Sequence, residues 1–419
     1  MGLSANSRSI TRQFSVLTVA LLWAILLLSL APGAKGEAAQ SKVDEDPSGA
    51  PYVAGELLVA YEPGTSAQTE QAVVRGSEGQ TAKSLPRKVR LISFPGIRGE
   101  GSRETRERAL QSKLKNIRNE PHVEAADYNY IRRASWVPND PRFDDPGQWG
   151  FKKTSFPGAW TDARGAGAKI AILDSGIDQG HPDIGNIAAQ KNFFDGTSAV
   201  GDRFGHGTHV AGIAAALTNN RTGVAGGCPG CKLLIAKVMN DSGGVNDANV
   251  LPAIDWSVAH NADVINISFG GSGGDAGNTV LEGAINDAVA SGVVVVAAAG
   301  NEWWSTTKQY PAAYQNVIAV SATTGKDNLA TFSSRGSWVD LAAPGTAVLS
   351  TRAGGGYNEE DGTSESAPFV SALAGLLASE GKSAPQIRQR IQSTATDLGP
   401  AGDDPSFGYG RINANRAVP

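Results

Sequence analysis

The sequence predicts an α/β protein: a parallel β-sheet wrapped by helices over residues 136–419, preceded by a small α/β open-sheet domain in 37–135 with its core at 54–134. Three observations carry this. Beyond Trp136, short continuous apolar runs recur as KIAIL (169–173), LLIAKV (233–238), VINIS (264–268), VVVVAA (293–298) and VIAV (317–320). Runs of that kind suit strands buried on both faces. Helical patterns at 206–217, 248–260 and 279–290 lie between them, the alternation expected of a parallel sheet. Before Trp136 the pattern changes to shorter amphipathic elements with clustered positive charge: 83–118 holds 11 basic and 3 acidic side chains, whereas 136–419 has a net charge of −8.

At the start of the chain, Arg8 and Arg12 precede an apolar run from Val16 to Leu30, followed by Ala31, Gly33, Ala34 and Gly36. This reads as a secretory signal over 1–36, with small residues near a cleavage point in 31–38, so the protein is expected to be secreted. The run is long for a signal, and left uncleaved it would anchor the chain in a membrane. Residues 37–51 read as a linker. A strand is expected at 56–61, a helix at 67–74, a strand at 89–94, a charged amphipathic helix at 104–117 and a strand at 123–130. No stacking aromatics accompany the basic segment, so nucleic acid is not the expected partner. A basic face toward an acidic domain of the same chain fits better.

The chemistry-bearing residues sit at the ends of these elements. Asp174 follows KIAIL directly, where a carboxylate at a strand's carboxyl end points into the crevice of an open sheet. His206 and His209 fall in Phe204-Gly205-His206-Gly207-Thr208-His209, opening a helix made mostly of Ala and Gly. Ser364 lies in Asp361-Gly362-Thr363-Ser364-Glu365-Ser366-Ala367-Pro368, just before an apolar small-residue pattern. At a helix N-terminus its own amide is free to meet an oxyanion. Taken alone, such a serine is equally an ordinary N-cap. With Asp174 and His206 it completes a nucleophile, a base and a group to orient the base. Asn301 ends a buried strand and offers an amide to the same oxyanion, although an Asn in a turn is commonly only a turn residue. Gly270-Gly271-Ser272-Gly273-Gly274 fits a nucleophile-elbow pattern, but that architecture needs a His downstream and none follows residue 272. Cys228 and Cys231 are the only cysteines; in an exported chain a local disulfide is expected, with two reduced, buried thiols as the alternative.

In this order, Asp-Ser-Gly-Ile-Asp at 174–178, His-Gly-Thr-His-Val-Ala-Gly at 206–212, Ala-Ala-Gly-Asn at 298–301 and Gly-Thr-Ser…Pro at 362–368 resemble the subtilisin family of serine proteases. Pro138-Asn139-Asp140-Pro141, Thr218-Asn219-Asn220 and Gly408-Tyr409-Gly410-Arg411-Ile412-Asn413-Ala414 place the resemblance nearest the thermitase branch. It covers 136–419, and 54–134 is similar to that family's inhibitory, fold-assisting propeptide. The resemblance implies a subtilisin-like fold and a secreted serine endopeptidase made as a self-processing zymogen. Its partners would be protein or peptide substrates and its own propeptide as inhibitor, and the chain would be monomeric. Ser364 would be the nucleophile, His206 the base, Asp174 its orienter and Asn301 the oxyanion donor beside the Ser364 amide; His209 would be structural. Gly243-Gly244-Val245 and Ser268-Phe269-Gly270 match the segments that sandwich an extended substrate.

The resemblance also implies one structural Ca2+ ion. Its ligands match Asp140, Asp183, Leu217, Asn220, Thr222 and Val224, an oxygen-rich set that suits a hard cation. Asp195 and Asp202 flank a loop of suitable length for a second ion, but the other oxygen ligands are missing. Four departures stand out. Glu365-Ser366 replaces the family's Met-Ala, with Glu365 expected on the wet rim of the site on the leaving-group side. Phe369 replaces a His. Trp303-Trp304 stand where relatives carry small residues, which bears on the primary specificity pocket. Cys228 and Cys231 match alanines in relatives, which favours the local bridge. The rival reading, an exported peptide-binding pseudoprotease, calls for a missing catalytic residue, and none is missing.

Overall fold

The computed structural model describes residues 42–46, 51–99, 101–131, 136–272 and 277–418; the expected signal segment lies outside them. The chain divides into two compact units, 1–132 and 133–419. Among the described residues, no helix is long and apolar enough to cross a membrane.

The first unit is a five-stranded antiparallel sheet. Its strands are β1 (Val43–Glu45), β2 (Pro51–Tyr61), β3 (Gln80–Leu85), β4 (Val89–Ser93) and β5 (Val123–Tyr130), with helices α1 (Ala67–Gly76) and α2 (Arg103–Arg118). β2 pairs with β1, β4 and β5, and β4 with β3. Alternate side chains of β2 (Leu57, Val59, Tyr61) bury against Val73 and Val74 of α1 and Leu110, Leu114 and Ile117 of α2, the period-two and helical patterns that made these elements readable. Two elements depart from expectation. β1 lies inside the segment read as a linker, and its Asp44 is buried and paired with Arg106 at 2.5 Å. β3, QTAKSL, is polar and almost wholly exposed, so it carries no apolar alternation to read.

The second unit holds a seven-stranded parallel sheet. Its strands are β6 (Lys169–Asp174), β7 (Ile187–Asn192), β8 (Lys232–Lys237), β9 (Val264–Ile267), β10 (Val294–Ala298), β11 (Ile318–Thr323) and β12 (Leu341–Pro344). Their spatial order is β12-β11-β10-β9-β6-β8-β7. Alternate residues of one strand feed two different cores. Ile170 and Ile172 of β6 pack on one face, and Ala171 and Leu173 on the other. That two-sided burial is why the strands read as unbroken apolar runs. A hairpin of β13 (Val348–Thr351) and β14 (Tyr357–Glu360) leads into the main central helix.

Among the helices that cover the sheet are α3 (His206–Ala215), α4 (Asp247–Ala259), α5 (Thr279–Ala290) and α6 (Thr363–Ser379). α6 is buried from Thr363 to Leu377 and, Glu365 apart, it is apolar or small all round, as suits a central helix. Phe369 closes its inner side, its ring centroid 4.7 Å from that of Phe151. The chain leaves β6 toward β7 and β8 on one side and reaches β9 on the other. The order therefore reverses beside β6, whose carboxyl end carries Asp174. In open α/β sheets the ligand crevice lies at such a point.

Candidate active site

Asp174 is the last residue of β6 and is buried. Its Oδ1 accepts from the Ser175 amide at 2.7 Å and pairs with His206 Nδ1 at 2.8 Å. His206 is the first residue of α3. Gly205 before it has φ +97°, a left-handed conformation that favours glycine. The entry of this helix is fixed by a polar network that sequence reasoning missed. Asp202 Oδ1 accepts from Ser175 Oγ (2.8 Å) and the Gly205 amide (2.7 Å), and its Oδ2 from the Thr208 amide (2.8 Å) and hydroxyl (2.7 Å). The Gly207 amide donates to Ser175 Oγ at 2.9 Å. Asp202, weighed as a second calcium ligand, instead spends its oxygens on holding His206 against Asp174. Its spacing before the His-Gly-Thr-His run was the available signal.

Ser364 is the second residue of α6, in the turn whose amides have no intrahelical acceptor. Ser268 Oγ, just past β9, donates to the Ser364 carbonyl at 2.9 Å and ties the helix start to the sheet. Gly362 packs so closely that a Cβ there would lie 2.7 Å from Ser364 Oγ and 3.3 Å from Asn301 Nδ2. Only glycine leaves the Ser364 hydroxyl and the Asn301 amide that space. Asn301 Oδ1 accepts from the Thr363 amide and hydroxyl, both at 2.9 Å. The carbonyl side of the amide is thereby pinned to α6, and its NH2 is the end left for a ligand.

Glu365 departs from expectation. It is buried, 1% exposed, rather than on a wet rim. The Ser364 hydroxyl donates to Glu365 Oε2 at 3.0 Å and not to His206. Glu365 Oε1 lies 3.9 Å from His206 Nε2 and 3.8 Å from His209 Nδ1. The reason is packing. Residue 365 sits in the first turn of a helix with no solvent side, so its side chain turns inward toward α3. Burial pushes its carboxyl above the ordinary value, and the two histidines pull it back. Burial disfavours the His206 imidazolium, yet Asp174 and the carboxylates of Glu365 and Glu360 outweigh it and hold the ring up at about 10.

The remaining expected residues fall into three groups. Gly243-Gly244-Val245 follow β8, where the Asn240 amide donates to the Gly244 carbonyl at 2.9 Å and Val245 bridges Met239. Ser268-Phe269-Gly270 follow β9, next to a bridge between Gly271 and Tyr310. Because β8 and β9 flank β6, the two segments emerge on either side of Asp174. Trp303 and Trp304 are exposed.

The second group is the 217–224 loop with two buried aspartates. Asp140 accepts from the Asn219 amide (2.7 Å) and the Asn220 amide (3.2 Å). Asp183 accepts from Asn220 Nδ2 and the Val224 amide, both at 2.7 Å, and its carbonyl from the Leu217 amide at 2.9 Å. The Thr222 amide donates to Asn220 Oδ1 at 2.7 Å. Neither carboxylate has an ion pair among the described residues. Burial pushes the Asp140 carboxyl upward, and Asp183 adds to the shift. Two buried, uncompensated carboxylates with carbonyl and amide oxygens nearby are a donor set that fits a hard cation. The third group is the Cys228–Cys231 disulfide, with Cα atoms 5.3 Å apart, buried beside Gly165.

This site and sheet are those of a known class. The subtilase family model matches residues 165–410, and the chain belongs to that family; it is a serine endopeptidase. It is 39% identical over 369 residues to a thermophilic serine proteinase of a Bacillus species, covering 88% of each chain. It is 44% identical to thermitase of Thermoactinomyces vulgaris, over 68% of this chain and 99% of that one. Among solved structures, a protease from Pseudoalteromonas arctica superposes with a TM-score of 0.62 at 31% identity, covering 68% of this chain and 99% of that one.

Proposed function

We propose that the protein hydrolyses peptide bonds through an acyl-enzyme, with Ser364 as nucleophile, His206 as general base and Asp174 as its orienting group. The carrying observation is the pair of buried Asp174 and partly buried His206, whose second ring nitrogen faces Glu365 in the first turn of the nucleophile's helix. For catalysis the Ser364 hydroxyl must leave Glu365 and donate instead to His206 Nε2. Ser364 Oγ then attacks the scissile carbonyl carbon as His206 takes the hydroxyl proton, and the carbonyl electron pair moves onto oxygen. Asn301 Nδ2 and the Ser364 amide receive that oxyanion. Collapse breaks the C–N bond, and His206 returns its proton to the departing amine. Water, activated by the same base, attacks the acyl carbon and restores Ser364. Gly243-Gly244-Val245 and Ser268-Phe269-Gly270 hold the substrate between them as an added strand.

Asn301→Ala tests this assignment. Turnover should fall by about 10²–10³ with KM little changed, a magnitude that comes from subtilisin itself rather than from this geometry. Unchanged kcat would remove Asn301 from the oxyanion site.

The first unit serves as an inhibitory propeptide that the protease removes, and the chain is exported. The 369-residue match to the Bacillus proteinase is longer than the second unit, so it extends into the first and supports this reading. Asp140, Asp183, Asn220, Leu217, Thr222 and Val224 would hold one calcium ion, whose positive charge would offset the two buried carboxylates and stabilise their loops.

The base works only when neutral, and the groups facing it decide when it is. These are Asp174 from β6, Glu360 from β14, Glu365 from α6 and, on its own helix, His209. The carboxylates favour the imidazolium, so the acid limb of kcat/KM lies above the ordinary histidine range. Glu365→Gln withdraws one anion and should move that limb to lower pH. Identical low-salt pH profiles for the variant and wild type would show that Glu365 does not act on His206.

A further inference from the structure

We propose that His209, Glu360 and Glu365 form a binding site for a divalent transition metal of the zinc class, and that metal held there reversibly inhibits the protease. One ring nitrogen and two carboxylate oxygens lie within 4.8 Å of one another. The independent pointer is His209. It is wholly buried, and its Nδ1 has no hydrogen-bond partner. Its Nε2 lies 3.2 Å from the Asn358 carbonyl, so the ring donates there, and in the neutral ring that binds metal Nδ1 carries the lone pair. That lone pair faces Glu365 Oε1 at 3.8 Å. Two acceptors facing each other in a buried site leave room for something positive between them.

The surroundings are those of a supported ligand set. Metal-bound histidines donate their other ring N–H to a carbonyl or carboxylate, as His209 does. The same Asn358 steadies a second ligand, its Nδ2 donating to Glu360 Oε1 at 2.8 Å. The donor chemistry selects the metal. An imidazole nitrogen with two carboxylates suits zinc, whereas calcium and magnesium call for oxygens in greater number. Zinc bonds of about 2.1 Å require ligand atoms about 3.4 Å apart. The His209–Glu365 pair is near that already, and the half-buried Glu360 side chain supplies the remaining closure.

Inhibition follows from what else Glu365 touches. It accepts the Ser364 hydroxyl and lies 3.9 Å from His206 Nε2. A dication held by this carboxylate stands beside the ring that must become an imidazolium, and opposes that charge. The inhibition rests on the catalytic roles proposed above; the binding does not.

The test separates the two. The full chain carrying Ser364→Ala, which cannot digest itself, is titrated calorimetrically with Zn2+ in calcium-containing buffer, and with Co2+ while visible d–d absorption is recorded. One zinc per chain is expected, with Co2+ bands showing mixed nitrogen and oxygen ligation. Glu360→Gln in that background should weaken binding by more than the roughly 10–100-fold that an outer-shell loss costs, and Glu365→Gln should do likewise. Wild-type peptidase activity should fall over the same zinc range and recover on chelation in excess calcium. No zinc bound more tightly than about 100 µM, or binding unchanged in both variants, would overturn the site. Stoichiometric binding with undiminished turnover would overturn the inhibition. Zinc binding by a chain with no wild-type peptidase activity would leave the site standing and fault the catalytic assignment instead.

Discussion

Ser364→Ala lowers kcat by about 10⁶, the scale seen when the serine of subtilisin is removed, and leaves the fold in place. In the proposed mechanism the hydroxyl forms the covalent intermediate, and alanine offers no replacement for it. The Asn301 amide and the free α6 amides stay behind, so a small residual rate over water persists. A second consequence is easily read on a gel. If the first unit is removed by the protein's own activity, purified Ser364→Ala accumulates as a precursor retaining the 54–134 region. The wild type then begins near Ser135 or Trp136. Normal processing of the purified variant would mean that another protease does the cutting.

Removing calcium gives the largest expected change in stability. Asp140 and Asp183 are buried within one loop cluster and have no ion pair among the described residues. Without a cation their charges are uncompensated, which burial makes costly. Metal at about 100 times its dissociation constant adds roughly 2.7 kcal/mol to the folded state. The melting temperature should therefore fall on chelation by several degrees. Asp183→Ala should melt low in either condition and lose the chelator response. A wild-type melting curve that ignores chelator would remove the ion from this site.

The residues legible in the sequence were those at the ends of regular elements. Asp174 ends a strand, His206 and Ser364 lie at the start of helices, Asn301 follows shortly after β10, and the sheet then brings them to one crevice. The parallel strands were readable because both faces are buried. β7 was not: IAAQKN is an edge strand with exposed polar positions and carries no apolar run. β3 failed for the same reason. The role of Asp202 was not legible because its spacing shows a nearby loop but not which donors converge on it. Glu365 was placed on the rim because one-dimensional order does not show that α6 lacks a solvent face. Once α3, β14 and α6 close around it, the carboxylate faces Ser364, His206, His209 and Glu360.

The catalytic assignment is tested most directly by titrating the mature protein with a sulfonyl fluoride and mapping the adduct by mass spectrometry. One sulfonyl group per chain on Ser364, with peptidase activity lost in proportion, is the predicted result, and His206→Ala should react far more slowly. An adduct on another residue, or full activity with Ser364 stoichiometrically modified, would contradict it.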